Sequence, residues 1–441
     1  MRPLATALTA RGRVDGAPVV AFAGSGGAPD AHNIVTAVDT AVRERVPVIG
    51  LWQCAGPPLA DGLSALDAAG QVFAAVVRAS GRVPQISVLL GQATGAAAYV
   101  LPLTDVIIHS PGRLPPGTEP DHTTAPETTP DRTTAPGTEP DRTTAPETEA
   151  DRTTSPGAGR PGLVAPDSDS ALAEARRIAL LLGSQGRVSP DDVAPGGTTG
   201  VPLHTLVPAG TDRAYDARPL VRAILDAPGT ELHADRATNM ITTLGRLAGR
   251  TVGVVATNPL RLGGCLDPSG AEKAARFIRM CNALGVPLII LADSPGLLPG
   301  PEPDDAPHRG AKLLHAFAEA VVPRVTVITR RVYGGAYLAM NSRSLGATAV
   351  LAWPSTTIAV TGPKTAVNLH HRRTLAAVPP AEREPLRARL LAQELDLTSA
   401  ARAVELGLVD EIIQPEQTRR RIAETLAATP AGRGNHTNIP L

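Results

Sequence analysis

The chain predicts an α/β protein built from two copies of one folding unit, and three observations carry the prediction. First, four segments recur in the same order in each half. Gly12-Arg13-Val14-Asp15-Gly16 and Gly245-Arg246-Leu247-Ala248-Gly249 each lead into an apolar strand. Val46-Pro47-Val48-Ile49-Gly50 is matched by Val286-Pro287-Leu288-Ile289-Ile290, and the loops beyond them end in Ala55-Gly56 and Pro295-Gly296. Val83-Pro84-Gln85-Ile86 is matched by Val322-Pro323-Arg324-Val325, and Gly95-Ala96-Ala97-Ala98-Tyr99 by Gly334-Gly335-Ala336-Tyr337. An ordered series of this kind is the mark of duplication. Second, short Val- and Ile-rich runs of buried-strand length alternate with longer stretches at helical spacing. Third, the runs end in glycine turns, which is where ligands approach an α/β sheet.

In the first half, Pro18 to Ala23, Val46 to Leu51, Ile86 to Leu90 and Asp105 to Ile108 read as buried strands. Ala31 to Glu44 and Ala65 to Arg78 read as helices, the second with Gly81 as its C-cap. Residues 116–155 then break the pattern as four decamers, PGTEPDHTTA, PETTPDRTTA, PGTEPDRTTA and PETEADRTTS. They hold no large apolar side chain, so burial cannot offset the entropy of ordering them, and a disordered insert over 116–157 is expected. It reads better as an expansion tolerated in a surface loop than as a partner-binding segment. A helix resumes at Asp169 to Leu182 and closes a first domain over 10–182. Residues 183–212, with Gly196-Gly197 and several prolines, read as a linker.

A second domain is expected over 213–430. Its strands are read at Val252 to Ala256, Leu288 to Leu291, Val325 to Thr329, Thr348 to Leu351 and Ile358 to Val360. Its helices are read at Ala271 to Leu284, Gly310 to Val321, Pro385 to Leu395 and Ser399 to Leu406, with a stop at Gly407 and a short Val409 to Ile413 segment. Residues 371–384 show no informative period, and the chain from Gly432 onward reads as a frayed tail.

Composition narrows the function. The 441 residues suffice for two domains with cores of their own. A formal net charge of zero and the lack of a long basic run argue against nucleic acid and acidic membranes as partners. Cys54, Cys265 and Cys281 are too few and too scattered for a disulfide framework or a thiolate metal site, which fits a reducing cytoplasm. Residues 1–11 lack the sustained apolar core of a signal peptide, and the apolar runs fall short of a membrane span. Three lysines stand against 39 arginines, a bias that reads as genome composition rather than binding.

The glycine turns are the candidate chemistry. A glycine pair after a strand lets successive backbone N–H groups converge on one ligand oxygen, above all where a helix begins. Where negative charge grows on a thioester oxygen, two such donors form an oxyanion hole. Gly334-Gly335-Ala336 fits, with Tyr337 opening the next helix, and Gly95-Ala96 holds the equivalent place in the first half. The bland alternative is close helix–strand packing at both turns, and their duplication weighs against it. Asp293 to Gly300 follows a strand end, and His308-Arg309-Gly310 is a candidate anion contact because a helix is expected just beyond it. His308 has no convincing carboxylate partner in sequence. Cys54 reads as a small buried residue, and Asp267 and Lys273 as capping and solvating a helix that begins near Pro268. There is no Ser-His-Asp arrangement, no P-loop and no metal cluster.

Leu262-Gly263-Gly264-Cys265-Leu266-Asp267, Glu272-Lys273-Ala274-Ala275-Arg276-Phe277, Asp293 to Gly300, Arg309 to Leu314 and Tyr333 to Met340 together make a specific set. Over about 10–115 and 213–430, the chain resembles the carboxyltransferase (β) subunit of biotin-dependent acyl-CoA carboxylases, of the propionyl-CoA carboxylase β type. The resemblance implies a duplicated crotonase-like (ClpP/crotonase) ββα superhelix. It implies a coenzyme A thioester as substrate, biotin carried on a partner protein, and no metal in this subunit. Its implied partners are a biotin carboxylase and biotin carrier protein and further copies of the chain, as a dimer or hexamer. Carried over, Gly335 and Ala336 would stabilise the biotin enolate and Gly95 and Ala96 the acyl-CoA enolate. Tyr333 and Gly334 would join them on the biotin side, and Gly56, Tyr99, Leu338, Gly296 and Gly334 would contact substrate. The family's usual charged glycine-rich loop appears as Gln53-Cys54-Ala55-Gly56-Pro57-Pro58, and a segment that precedes Gly12 in typical members is missing. The biotin side therefore looks kept and the coenzyme A side rebuilt. That asymmetry suggests specialised metabolism and leaves two rivals: a biotin-independent acyl-CoA decarboxylase or acyltransferase, and a noncatalytic structural partner of a carboxylase complex.

Overall fold

The repeated Val-Pro pairs build the same junction twice. Val46 N–H donates to Ala41 O (3.1 Å) and Pro47 O accepts from Val20 N–H (3.0 Å). In the second half Val286 N–H donates to Cys281 O (2.8 Å) and Pro287 O accepts from Gly253 N–H (2.9 Å). Proline suits the position because the neighbouring strand needs its carbonyl and not the N–H it lacks. Pro84 and Pro323 repeat the device one strand on, accepting from Val48 and Leu288 N–H at 2.9 Å each. The repeat in sequence is thus a repeat in hydrogen bonding.

The computed structural model describes residues 8–24, 28–52, 62–91, 97–110, 162–193, 200–211, 213–300 and 305–438. The decamers, Cys54, Gly56, Gly95 and Ala96 lie outside these residues. In the first half, β1 (Leu8–Val14) and β2 (Ala17–Gly24) form a hairpin, α1 (Ala28–Glu44) leads to β3 (Val48–Trp52) and α2 (Gly62–Ala79) to β4 (Gln85–Leu90). The short α3 (Ala97–Val100) precedes β5 (Val106–Ser110), and β6 (Leu163–Val164) precedes α4 (Ser168–Gly183). The sheet order is β1-β2-β3-β4-β5-β6, parallel except for β1.

The second half runs α5 (Arg218–Ile224), β7 (Thr230–Glu231), β8 (Met240–Leu247), β9 (Arg250–Thr257), α6 (Pro268–Leu284) and β10 (Leu288–Ser294). Then come α7 (Asp305–Glu319), β11 (Arg324–Tyr333), α8 (Gly335–Ala339), β12 (Ala349–Ala352) and β13 (Thr357–Ala359). Helices α9 (Pro363–His370), α10 (Arg372–Ala377), α11 (Pro380–Leu397) and α12 (Ala400–Glu405) precede β14 (Glu411–Ile412) and α13 (Thr418–Ala428). The order is β7-β8-β9-β10-β11-β12-β14, with β13 pairing the far end of β11. From β8 to β14 this copies the first sheet strand for strand.

Both hairpins turn on two left-handed residues, Asp15-Gly16 (φ 44° and 83°) and Ala248-Gly249 (φ 49° and 77°). Such turns match the twist of the paired strands. Ala248 carries a Cβ in that strained region, and the Asp226 carboxylate holds it there, accepting from the Ala248 and Gly249 N–H groups at 2.9 Å each.

Helix α4 joins the halves. Its Ala171, Ala175, Ile178 and Leu182 share one buried cluster with Ile86, Val88 and Ile108 of the first sheet and with Leu244 and Ile278 of the second half. Helices α1 and α2 cover the other face of the first sheet, and α5 and α13 that of the second. Leu203 and Val207, in the stretch read as a linker, are buried in this last core.

The tail read as frayed is docked instead. Arg433 donates to Ala283 O, Gly81 O and Arg82 O, and the buried Asn438 donates from its N–H to Ser80 Oγ and from Nδ2 to Asp105 Oδ1, both at 2.8 Å. Polar bonding holds this segment, which an apolar pattern cannot reveal. Burial pushes the Asp105 carboxyl up to about 6, against the pull of Asn438, Gln85 and Arg276. A carboxyl that binds its proton more tightly when folded lowers stability as pH rises between about 4 and 6. Asp105→Asn is expected to abolish about 3 kcal/mol of that decline, read by urea denaturation at about pH 4 and about pH 7. Parallel pH profiles for the two proteins would sink the assignment.

Candidate active site

Ten strand residues, Arg324 to Tyr333, carry β11 to the turn that the sequence marks out. Gly334 takes φ 54° and ψ −134°, open to glycine alone at this cost, and its N–H donates to Ala359 O (2.8 Å). A Cβ at Gly334 would lie 3.0 Å from Val360 O, so the close approach of the β13 end also requires glycine. Helix α8 begins at once with Gly335. Its first two amides, those of Gly335 and Ala336, have no acceptor among the described residues, while Tyr337 N–H returns to Gly334 O (3.1 Å). Gly335 is half-buried and Ala336 fully buried. The turn therefore presents two unspent donors, with Gly335 the nearer to the surface.

The loop after β10 reaches over this turn. Leu266 and Leu297 form a parallel bridge, Leu266 N–H donating to Gly296 O (3.0 Å) and Leu298 N–H to Leu266 O (2.7 Å). Gly296 sits at φ 152°. Leu297, half exposed, lies so close that a Cβ on Gly335 would be 2.6 Å from its Cδ1. Gly296 is thus tied to the turn through its neighbour, a relation the sequence does not show.

A buried charge cluster anchors the loop. Asp293 Oδ2 accepts from Arg330 Nε (2.8 Å), and Arg331 Nε stands 3.6 Å from Oδ1. Arg330, 2% exposed, also donates to Gly210 O (2.8 Å) and Arg213 O (2.7 Å) and lies over the Tyr215 ring at 5.0 Å. Burial pushes the Asp293 carboxyl up, with Arg330 and Arg331 pulling it down. Burial and the Asp293 charge push the Tyr215 hydroxyl up as well. Sequence reasoning passes over Arg330 and Tyr215. The one signal for them is an Arg-Arg pair inside an otherwise apolar strand.

Tyr333, Gly334, Gly335, Ala336 and Leu338 come together on one turn, and Leu338 is exposed. Tyr99 occupies the matching place in the first half, on α3, and is 72% exposed. Gly56, Gly95 and Ala96 lie outside the described residues. His308 and Arg309 are inside α7 rather than ahead of it, because that helix begins at Asp305. Asp267 caps α6, its Oδ1 accepting from Gly270 N–H (2.8 Å). Lys273 does not solvate that helix. It is buried, with Nζ donating to the carbonyls of His233, Arg236 and Met240 at 2.7 to 2.8 Å. Among the described residues no group of three or more His, Cys, Asp or Glu could hold a metal ion, and no helix is long and apolar enough to cross a membrane.

The carboxyl transferase domain family matches residues 4–437. The chain is 45% identical over 446 residues to the biotin-dependent acetyl-/propionyl-coenzyme A carboxylase beta6 subunit of Mycobacterium tuberculosis (strain ATCC 25618 / H37Rv), covering 98% of this chain and 91% of that protein. It is 44% identical to the propionyl-CoA carboxylase beta chain of Rhodococcus erythropolis, again covering 98% and 91%. The structure of transcarboxylase 12S, described as a hexamer and with methylmalonyl-coenzyme A bound, matches with a TM-score of 0.80 at 31% identity over 99% of this chain and 85% of that one.

Proposed function

The chain belongs to the carboxyl transferase family of biotin-dependent acyl-CoA carboxylase β subunits, and from that premise we propose how its residues serve the reaction. It is a carboxyltransferase with a duplicated crotonase-like fold, moving a carboxyl group between biotin and an acyl-CoA thioester. The halves 10–182 and 213–430 act as its two domains, joined by 183–212. When bound, biotin would supply the carboxyl group and, once that group has left as CO2, a basic ureido nitrogen for the acyl α-proton, with the Gly335 and Ala336 amides placed to hold its ureido oxygen.

The observation that carries the site reading is the pair of first-turn amides, Gly335 and Ala336, left without protein acceptors among the described residues beside a half-open surface. Donors fixed in this way suit an oxygen on which charge grows, because no reorganisation is needed as it forms. Gly334 and Tyr333 hold the turn in place, Leu297 screens Gly335 from water, and Gly95-Ala96 does the equivalent work for the thioester. Tyr99 and Gly56 contact substrate on that side, and Gly296 sets the path of the Leu297 loop. The partners are a biotin carboxylase and biotin carrier protein in the cytoplasm, and the chain self-associates as a dimer or hexamer.

The test is decarboxylation of methylmalonyl-CoA or malonyl-CoA by the purified chain with and without free biotin. Loss of carboxylate that requires biotin is expected. Equal rates without biotin would replace this reading with that of a plain decarboxylase. Leu338 follows the donors on α8, and its bulk favours a small or apolar α-substituent. Leu338→Ala is expected to shift the kcat/KM ratio toward a longer acyl chain by roughly 10- to 200-fold. An unchanged ratio would remove Leu338 from the acyl site.

A further inference from the structure

Away from the Gly334 turn, a cavity of about 330 Å³ opens where the halves meet the docked tail. Its walls bring five cationic side chains together: Arg236, Lys273, Arg276, Arg279 and Lys312. Two carboxyls face them, Asp105 and Glu272. Both are already engaged. Asp105 accepts from Asn438 Nδ2 and from Gln85 N–H, each at 2.8 Å. Glu272 is shared, with Arg236 Nη2 at 3.4 Å, Arg309 Nη1 at 3.5 Å and Lys312 Nζ at 3.2 Å.

The deeper cations bond chiefly to backbone. Lys273 gives its three protons to carbonyls, and Arg276 Nη2 donates to Pro102 O (3.2 Å) and Thr104 O (3.4 Å). Two buried nitrogens on the lining, His233 Nδ1 and Arg279 Nε, have no hydrogen-bond partner among the described residues. Burial together with Arg276, Lys273 and Arg236 holds the His233 imidazole down to about 4, so the ring is neutral and senses a positive surrounding. Arg279 is paired with Glu319 (Nη1 to Oε2, 2.5 Å), and only Lys273 of the five is fully buried. The lining itself still sets five cations against two carboxyls, and that excess beside two unfilled buried nitrogens suits a bound anion.

We propose that this cavity binds a small phosphate-class anion, held by the Arg236, Arg276, Arg279 and Lys312 cations across the junction of the two halves. Guanidinium forks match phosphate oxygens in pairs, which favours phosphate over chloride. The volume falls at the lower end of small-ligand sites and exceeds what inorganic phosphate fills, leaving room for a phosphomonoester. Since the walls come from both halves and from Asn438, a bound anion ties them together and stabilises the fold.

The test is calorimetric titration of the full chain with inorganic phosphate and with AMP in chloride buffer at fixed ionic strength. At least one probe is expected to bind saturably to the wild type and to raise its melting temperature. Arg236→Gln/Lys312→Gln, both on the partly exposed rim, should bind that probe at least tenfold more weakly and lose the thermal shift. Its melt in chloride alone establishes that it folds, and its biotin-dependent turnover in chloride should match wild type, which separates this site from the carboxyl-transfer site. Tighter binding of AMP than phosphate would identify a phosphomonoester ligand, and the reverse a free ion. Saturable binding of neither probe, or equal binding by the double variant, overturns the proposal.

Discussion

Gly335→Pro is expected to lower kcat for biotin-dependent carboxyl transfer by roughly 100- to 1,000-fold, the usual cost of deleting one oxyanion donor. The substitution is clean at this place. Gly335 is the first residue of α8, where proline's fixed φ is compatible with the helix and its missing N–H breaks no internal bond. What it deletes is the donor. The added ring atoms meet Leu297, whose exposed tip lies 2.6 Å from where a Cβ on Gly335 would stand and can swing aside. Gly335→Ala is the control, since it makes the same contact and keeps the N–H, and should lose far less activity. Combining Gly335→Ala with Leu297→Ala should recover most of that smaller loss. Wild-type turnover by a Gly335→Pro protein with an unchanged melting curve would reject the donor role outright.

Asp293→Asn should destabilise the protein by about 3–5 kcal/mol, because it strands a guanidinium in the interior without a counter-charge. Arg330 cannot relax toward water: its side chain is 2% exposed, and its Nη1 is held by Gly210 O and Arg213 O. The loop that starts at Asp293 carries Leu297 to Gly335, so activity should fall along with stability. Replacing both partners, as Asp293→Leu with Arg330→Met, should restore much of the stability that the single change loses, since a packed apolar pair carries no desolvation cost. Urea midpoints of the three proteins decide it. A single variant within about 1 kcal/mol of wild type would mean that the pair is solvated in solution.

Particular residues show how far the sequence is legible. The Val-Pro pairs, the Asp15-Gly16 and Ala248-Gly249 turns and the Gly334-Gly335 turn can be read directly, because each reflects a local backbone requirement that one residue type meets. Sequence alone ends β11 early, at Thr329, because Arg330 and Arg331 look like a polar terminus until Asp293 is seen beside them. The tail from Gly432 reads as frayed for a related reason. Its contacts are hydrogen bonds to carbonyls and to Asp105, which leave no apolar period. Lys273 looks like a solvated helix residue, yet three carbonyls from the 233–240 turn surround its ammonium.

By itself the sequence determined the duplication, the α/β class and the turn that offers free amides, since hydrophobic period and glycine placement act over a few neighbouring residues. Only the tertiary structure decided that Leu297 lies over Gly335, that Asp293 and Arg330 share one buried charge site, and that the tail buckles the halves beside a cation-lined cavity. These relations depend on which distant carbonyls and charges meet once water is removed, and the pattern of any single segment does not encode that.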